Sequence, residues 1–224
     1  VRYGFAAAFL AGILFWLTLP SVGRLRTEMP ATTAFIERRQ ERLREEGKIA
    51  KIDRLVVPLS RISPALRKAV VVTEDETFYS HHGIDWQATK LAVETDIEKR
   101  QMKVGGSTIT QQLAKNLYLS PSRSPLRKLR EFAIAWKLER TLSKTRILEI
   151  YLNSIEWGER TYGAEAAARL YFGHSAAELS NREAATLAAM IASPRLFNPR
   201  THAARLDRRV RRILRLMSRN STPQ

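Results

Sequence analysis

Between Arg2 and Arg24 the chain runs for twenty-one residues without a charge. Most of them are apolar, among them Phe5, Phe9, Leu10, Ile13, Leu14, Phe15, Trp16, Leu17 and Leu19. As a helix rising ~1.5 Å per residue, this run would span roughly 31 Å, about the thickness of a bilayer's hydrocarbon core. The run therefore predicts a transmembrane anchor over residues 1–23, with Tyr3 and Trp16 at its interfaces. A cleaved signal peptide would have a shorter apolar core, roughly 7–15 residues, and a small-residue cleavage site, which does not follow here. The flanking charges, Arg2 on one side and Arg24 and Arg26 on the other, leave the orientation open.

What remains is enough for one domain of ordinary size and too short for two catalytic domains, within a total of 224 residues. Hydrophobic residues make up 44%, which supports a real core and argues against wholesale disorder. The absence of cysteine removes disulfides, thiolate catalysis and Cys-ligated metal sites. Lys and Arg outnumber Asp and Glu by 38 to 22, for a net charge of +16. That excess points to a polyanionic partner: nucleic acid, an anionic membrane face or a phosphate-bearing substrate.

Residues 24–55 read as a stalk, with a charged run from Glu37 to Lys51 forming a solvated helix punctuated by Phe35, Ile36 and Leu43. Leu55–Leu59 has the composition of a short strand. From Pro64, apolar residues at Leu66, Ala69 and Val70 and then Thr73 recur at helical steps. Ser107 is placed to cap a helix running through Leu113 to Tyr118, approached through Gly105-Gly106. Residues 126–142 form an amphipathic helix with Leu129, Phe132, Ala133, Trp136 and Leu142 on its apolar side, and residues 144–152 continue the pattern. Ala164–Leu170 and Glu183–Ile191 are Ala-rich and suited to close helix packing. A last helix, Ala203–Arg219, carries the stripe Leu206, Val210, Ile213, Leu214 and Met217 among arginines. That stripe docks on the core with Arg on the wet face, or lies on an anionic bilayer, or does both. With no repeat and no long alternation, the fold class is mainly α: a domain over residues 56–219 and a short tail over 220–224.

Three segments carry chemistry. Glu74-Asp75 follows the apolar Val70–Val72, and a carboxylate beside apolar surface can have a raised pKa and act as acid or base. Taken alone the pair also fits ordinary surface charge. The segment from Gly105 to Asn116 is dense in uncharged hydrogen-bonders, with Gln111, Gln112 and Lys115 at three- and four-residue steps on one helix face. Its start, near Gly106–Thr108, offers free N–H groups to an anion. A polar solvated face would show the same pattern. Arg123, Arg127, Lys128 and Arg130 then precede Glu131, a set suited to phosphate; a simple Arg127–Glu131 pair along the helix fits equally.

Taken together these segments resemble the peptidoglycan glycosyltransferases. Glu74-Asp75-x-x-Phe78-x-x-His81-x-Gly83 is similar to the family's first motif, and Gly106-Ser107-Thr108-Ile109-Thr110-Gln111-Gln112 with Lys115-Asn116 to its second. Arg127-Lys128-x-x-Glu131 is similar to the third, Lys144-x-x-Ile147-Leu148-Glu149-x-Tyr151-Leu152-Asn153 to the fourth, and Tyr162-Gly163 through Ala167-Ala168 to Tyr171-Phe172-Gly173 to the fifth. The segments stand in family order over roughly residues 56–200. The resemblance implies a lysozyme-like helical domain with a smaller membrane-associated lobe, in the monofunctional branch. Ile84–Met102 would belong to that lobe, with Ile84, Trp86 and Leu91 touching lipid.

It also implies the reaction. Lipid II and an undecaprenyl-diphosphate-linked glycan would be joined by a β(1→4) bond with inversion, at the outer face of the bacterial cytoplasmic membrane. By motif position Glu74 is the general base and Glu131 the second carboxylate. Lys115 and Arg123 would neutralise the leaving diphosphate, while Ser107, Gln111 and Gln112 orient the diphosphate or sugar. Thr108, Asn116, Arg127 and Lys128 would complete the substrate site. Asp75 and His81 would brace Glu74, with Phe78 and Gly83 supporting them. Lys144, Glu149, Tyr151 and Asn153 read as helix-packing and site-wall residues. A divalent cation, Mg²⁺ or Mn²⁺, fits at the diphosphate, with Glu131 helping through it or by organising nearby bases. Expected partners are the two lipid-linked substrates, the membrane and other cell-wall synthesis proteins, and not nucleic acid. Two rival functions stand: a lysozyme-like hydrolase with Glu74 as its acid, and a membrane-tethered nucleic-acid binder, although no zinc-finger or RNP motif is present.

Overall fold

The structure, a computed structural model, describes residues 2–99, 106–122, 124–197, 199 and 203–219. Among these the chain forms ten α-helices and one two-stranded parallel pair, so the mainly helical class holds. The first helix, α1, covers Arg2–Leu17. Among the described residues no helix is long and apolar enough to cross a membrane.

Helix α2, Ala34–Glu45, starts where the Thr33 side chain accepts from the Ile36 N–H at 3.1 Å. The charged run was expected to be solvated, yet one face is buried: Ile36, Leu43 and even Arg39. Arg39 tolerates burial because its guanidinium meets the Glu159 carboxylate at 2.6 Å and the Glu159 carbonyl at 2.8 Å.

Strand pairing sits two residues before the expected position. Strand β1, Asp53–Arg54, pairs with β2, Thr161–Tyr162, in the register Asp53↔Thr161 and Arg54↔Tyr162. The Leu55–Leu59 segment forms no ladder because side chains serve as its partners. Asn153 donates to the Val57 carbonyl at 2.9 Å and accepts its N–H at 3.0 Å, and Glu149 accepts the Leu59 N–H at 3.0 Å. Satisfied backbone groups leave no edge for a further strand.

Hydroxyl caps set most of the helix starts. Ser63, with Pro64 at the first helical position, opens α3, Pro64–Glu74; Ser124, with Pro125, opens α6, Pro125–Thr141; Ser143 opens α7, Lys144–Leu152. Helix α4 covers Trp86–Lys99. Helix α5, Ile109–Tyr118, is capped by Thr108 and not by Ser107, in a capping box with Gln111. Gly163, at φ +83, precedes α8, Ala164–Phe172; a Cβ there would come within 3.1 Å of the Asn153 carbonyl oxygen. Helix α9 covers Asn181–Met190 and α10 covers Ala203–Arg219.

The core gathers around α3, α5, α7 and α9. Trp157 and Tyr151 are fully buried, and the Trp157 indole donates to the Leu187 carbonyl at 3.0 Å. The stripe Leu206, Val210, Ile213 and Met217 of α10 docks on this core, as expected, with Leu214 partly buried beside it. Helix α6 is turned differently from the sequence expectation. Its buried face is Glu131, Ile134, Ala135 and Leu138, while Leu129 and Trp136 are 53% and 44% exposed. That outer side receives the end of α1 instead. Trp16 and Trp136 meet edge to face at 5.4 Å between ring centres. Arg130 donates to the Thr18 hydroxyl and Lys137 to the Pro20 carbonyl, both at 2.8 Å.

Candidate active site

Glu74 is the last residue of α3, where the chain leaves the buried Ala69–Val71 turn and enters a cavity of about 540 Å³. Burial pushes its carboxyl pKa above the ordinary carboxylate range. The Gln112 hydrogen bond, then the charges of Arg209 and Lys115, pull against that rise, and Asp75 adds to it. Gln112 donates to Glu74 at 2.8 Å, and its amide oxygen accepts from the Tyr151 hydroxyl at 2.8 Å. Tyr151 thereby fixes which end of the amide faces the carboxylate. Desolvation holds the phenol pKa well above its usual value, so the hydroxyl remains a donor.

Asp75, buried beside it, does not enter the cavity chemistry as a free charge. The Gly83 N–H donates to His81 Nδ1 at 3.0 Å, so His81 Nε2 carries the proton and donates to the two Asp75 oxygens at 2.9 and 3.0 Å. The Ile109 N–H, at the start of α5, also donates to Asp75 at 2.9 Å. Asp75 therefore ties the end of α3 to the start of α5. Gly83 makes the link possible with φ +92; a Cβ there would meet Glu139 Cγ at 3.0 Å. Phe78 is fully buried, and Lys144 lies over its ring at 4.5 Å while pairing with Glu139 at 2.8 Å. Asp75, His81 and Gly83 thus lie together in one hydrogen-bonded group next to Glu74 in the chain.

Not all of the α5 residues share one face. Gln111 is fully buried, and its amide oxygen accepts from the Thr108 N–H at 2.9 Å. The helix begins one residue later than a Ser107 cap would give, so Gln111 falls at the capping-box position and turns inward. Thr108 is also buried and donates to the Gly83 carbonyl at 2.7 Å. Gln111 thus shapes the helix start and does not share the expected face with Gln112 and Lys115. Gln112 serves Glu74, and Asn116 donates to the Gln112 carbonyl at 2.9 Å. Lys115 does remain toward the site. Burial lowers its ammonium pKa, countered by Glu131 and Glu74 and reinforced by Arg127 and Lys128.

Glu131 lies one helix away, buried in the middle of α6. One oxygen pairs with Arg127 and the other with Lys128. Lys128 also donates to the Ser107 hydroxyl at 3.1 Å and sits over the Phe132 ring at 4.8 Å. Both Glu131 oxygens are therefore engaged by cations. Among the described residues no group of three or more acidic or histidine side chains could hold a metal ion. The arrangement fits a carboxylate that organises two bases. Arg123 lies outside the described residues, as does Gly105.

Two residues of this site, Arg209 and Arg212, were not read from the sequence, and Tyr151, expected as a site-wall residue, has a more specific part. Tyr151 acts on Gln112, while Arg209 and Arg212 of α10 line the cavity that holds Glu74. Lys144, Glu149 and Asn153 hold neighbouring segments by the contacts given above, as packing residues do.

Comparison with known proteins identifies the family. The transglycosylase family matches residues 40–218. The biosynthetic peptidoglycan transglycosylase of Nitrosospira multiformis is 46% identical over 194 residues, covering 87% of this chain and 84% of that one. The protein of the same name from Herminiimonas arsenicoxydans is 41% identical over 228 residues, covering 96% and 99%. That from Laribacter hongkongensis is 46% identical over 189 residues, covering 84% and 83%. With its fold, its motif order and these relatives in agreement, the chain belongs to the transglycosylase family.

Proposed function

We propose that the chain is a peptidoglycan glycosyltransferase that polymerises lipid II into β(1→4)-linked glycan strands and releases undecaprenyl diphosphate. The observation that carries this reading is the pairing of a partly buried, raised-pKa Glu74 with Lys115 and the Glu131-ordered pair Arg127 and Lys128. A base of raised pKa accepts a proton more readily, and a cluster of cations suits a departing diphosphate.

The acceptor's 4-hydroxyl attacks the anomeric carbon of the α-linked donor. Glu74 takes the hydroxyl proton as the new C–O bond forms. The bond to the diphosphate oxygen breaks, and its electron pair leaves with the diphosphate. Attack opposite the leaving group inverts the centre, which gives the β linkage. Lys115, Arg127 and Lys128 neutralise the departing anion, joined by Arg123 on motif position alone; Ser107, held by Lys128, orients it. Asn116 acts through the Gln112 backbone. Each pre-aimed donor of this kind is worth ~10²–10³ in rate. A divalent cation, in this reading, travels with the diphosphate and is not held by Glu131.

The same reading anchors residues 1–23 in the bacterial cytoplasmic membrane and holds residues 56–219 at its outer face, with 24–55 joining them. Support comes from the uncharged N-terminal run and from exposed apolar side chains at Phe9, Leu10 and Leu17 on α1. Leu126 and Leu129 on α6 and Trp86 on α4 are likewise exposed. Tethering to the surface that carries both substrates raises their effective concentration. Incubating the purified chain with labelled lipid II tests the activity. Polymer with released undecaprenyl diphosphate is the expected outcome. Fragments from finished peptidoglycan, with no polymer from lipid II, would replace it with a hydrolase.

A further inference from the structure

Docking of the Leu206, Val210, Ile213 and Met217 stripe fixes the rotation of α10. Two arginines on one flank of that helix, Arg209 and Arg212, reach the wall of the Glu74 cavity. Residues three apart on a helix are neighbours, so the two guanidinium groups form one cationic strip. Asp207, the acidic residue of α10, is engaged by Arg182 and Arg211. Arg209 lies over the Phe197 ring at 4.8 Å, which fixes its stem.

The carboxylates around the cavity already have donors. Asp75 takes His81 and the Ile109 N–H; Asp85 takes the Thr77 hydroxyl at 2.5 Å and the Ala88 N–H at 2.8 Å; Glu74 takes Gln112. Glu76 has interactions of its own. Among the described residues neither Arg209 nor Arg212 is in an ion pair. The strip is also distinct from the cluster on α5 and α6. Glu74 feels both Arg209 and Lys115, whereas the charges that act on Lys115 are Glu131, Arg127, Lys128 and Glu74.

Resting on the function proposed above, the reaction brings together two substrates that each carry a diphosphate. One cationic cluster cannot hold both anions without strong repulsion between them. We propose that Arg209 and Arg212 form a second anion-binding subsite, which holds the anionic group of the acceptor while its hydroxyl faces Glu74. A guanidinium fork donates two hydrogen bonds at once to either a phosphate or a carboxylate. The acceptor offers both, in its diphosphate and in its stem peptide.

The full chain is assayed with a lipid-linked disaccharide whose 4-hydroxyl is blocked, so that it can only donate, held saturating while the acceptor is titrated. Arg212→Ala, at an exposed position that leaves the core untouched, raises the acceptor KM on the order of tenfold with kcat and donor KM little changed. Arg209→Ala raises it as well and lowers kcat, because a cation beside Glu74 is lost. Repeating the titration with an acceptor lacking the stem peptide identifies the anion. A KM effect that persists assigns the diphosphate, and one that vanishes assigns the peptide carboxylates. A wild-type chain that makes no polymer overturns the function itself. A wild type that polymerises, beside a folded Arg212→Ala with unchanged acceptor KM or an equal rise in donor KM, overturns only the subsite.

Discussion

Glu74 and Glu131 are the same residue type in one site, and their surroundings divide the labour between them. Glu74 ends a helix, opens to a cavity and receives one neutral amide donor, so burial dominates and its proton is held more tightly. Glu131 sits in mid-helix, almost wholly buried, with a cation on each oxygen. A carboxylate needs a free lone pair and a modest proton affinity to serve as a base, and Glu74 has both. A carboxylate with a cation on each oxygen has its negative charge already committed, and it holds those side chains in place at little reorganisation cost. What separates the roles is the neighbours, because the side chains are identical.

The strongest attempt to break this comparison is Glu74→Gln. Loss of the base should lower the polymerisation rate on the order of 10²–10⁴-fold. It should also stabilise the fold near neutral pH. Below the ordinary carboxylate pKa, folded and unfolded chains both carry the proton. As pH rises through the raised folded value, the native state must ionise a desolvated group and loses stability. Gln never ionises, so the variant's Tm should exceed that of the wild type at neutral pH and converge with it in acid. A variant that turns over normally, or one that is less stable at every pH, removes Glu74 from the assigned role.

Glu131→Gln should act through its cations and cost on the order of 10²–10³-fold in rate. Because Arg127 and Lys128 lose their shared anchor, the donor KM should rise with the fall in kcat, and the acid limb of the pH profile should stay where it is. Movement of that limb would mean that Glu131, and not Glu74, is titrating as the base.

Much of this pattern was readable from the sequence, and the failures share a cause. The bounds of α10 follow from its stripe, and the start of α3 from Ser63-Pro64, because local signals set both. Gln111 and Gln112 each stand three or four residues from Lys115, which suggests one shared face, but neighbours on a helix point about 100° apart, and the capping box with Thr108 turns Gln111 inward. The orientation of α6 misled too, since Leu129 and Trp136 look like core residues in the sequence but remain 53% and 44% exposed, and Trp136 meets Trp16 of α1 instead. Arg209 stands 135 positions from Glu74, and nothing local in an Arg-rich helix marks which arginine faces a cavity. Tyr151 was legible as buried, but its hydroxyl partner lies on another helix.

The finest adjustment to the Glu74 environment is Tyr151→Phe. The hydroxyl donates to the Gln112 amide oxygen, which compels the amide nitrogen to face Glu74. Without it the amide can turn, and an oxygen facing the carboxylate favours the protonated form. The facing charges, Arg209, Lys115 and Asp75, are unchanged by the substitution. The acid limb of kcat/KM should therefore move to higher pH. Activity on the acid limb should fall several-fold and recover as pH is raised, while activity on the plateau stays close to that of the wild type. A buried amide oxygen left without its donor should also cost about 1–3 kcal/mol of stability. A role in packing alone would lower Tm with the limb unmoved, and that result would leave Gln112 oriented by something other than Tyr151.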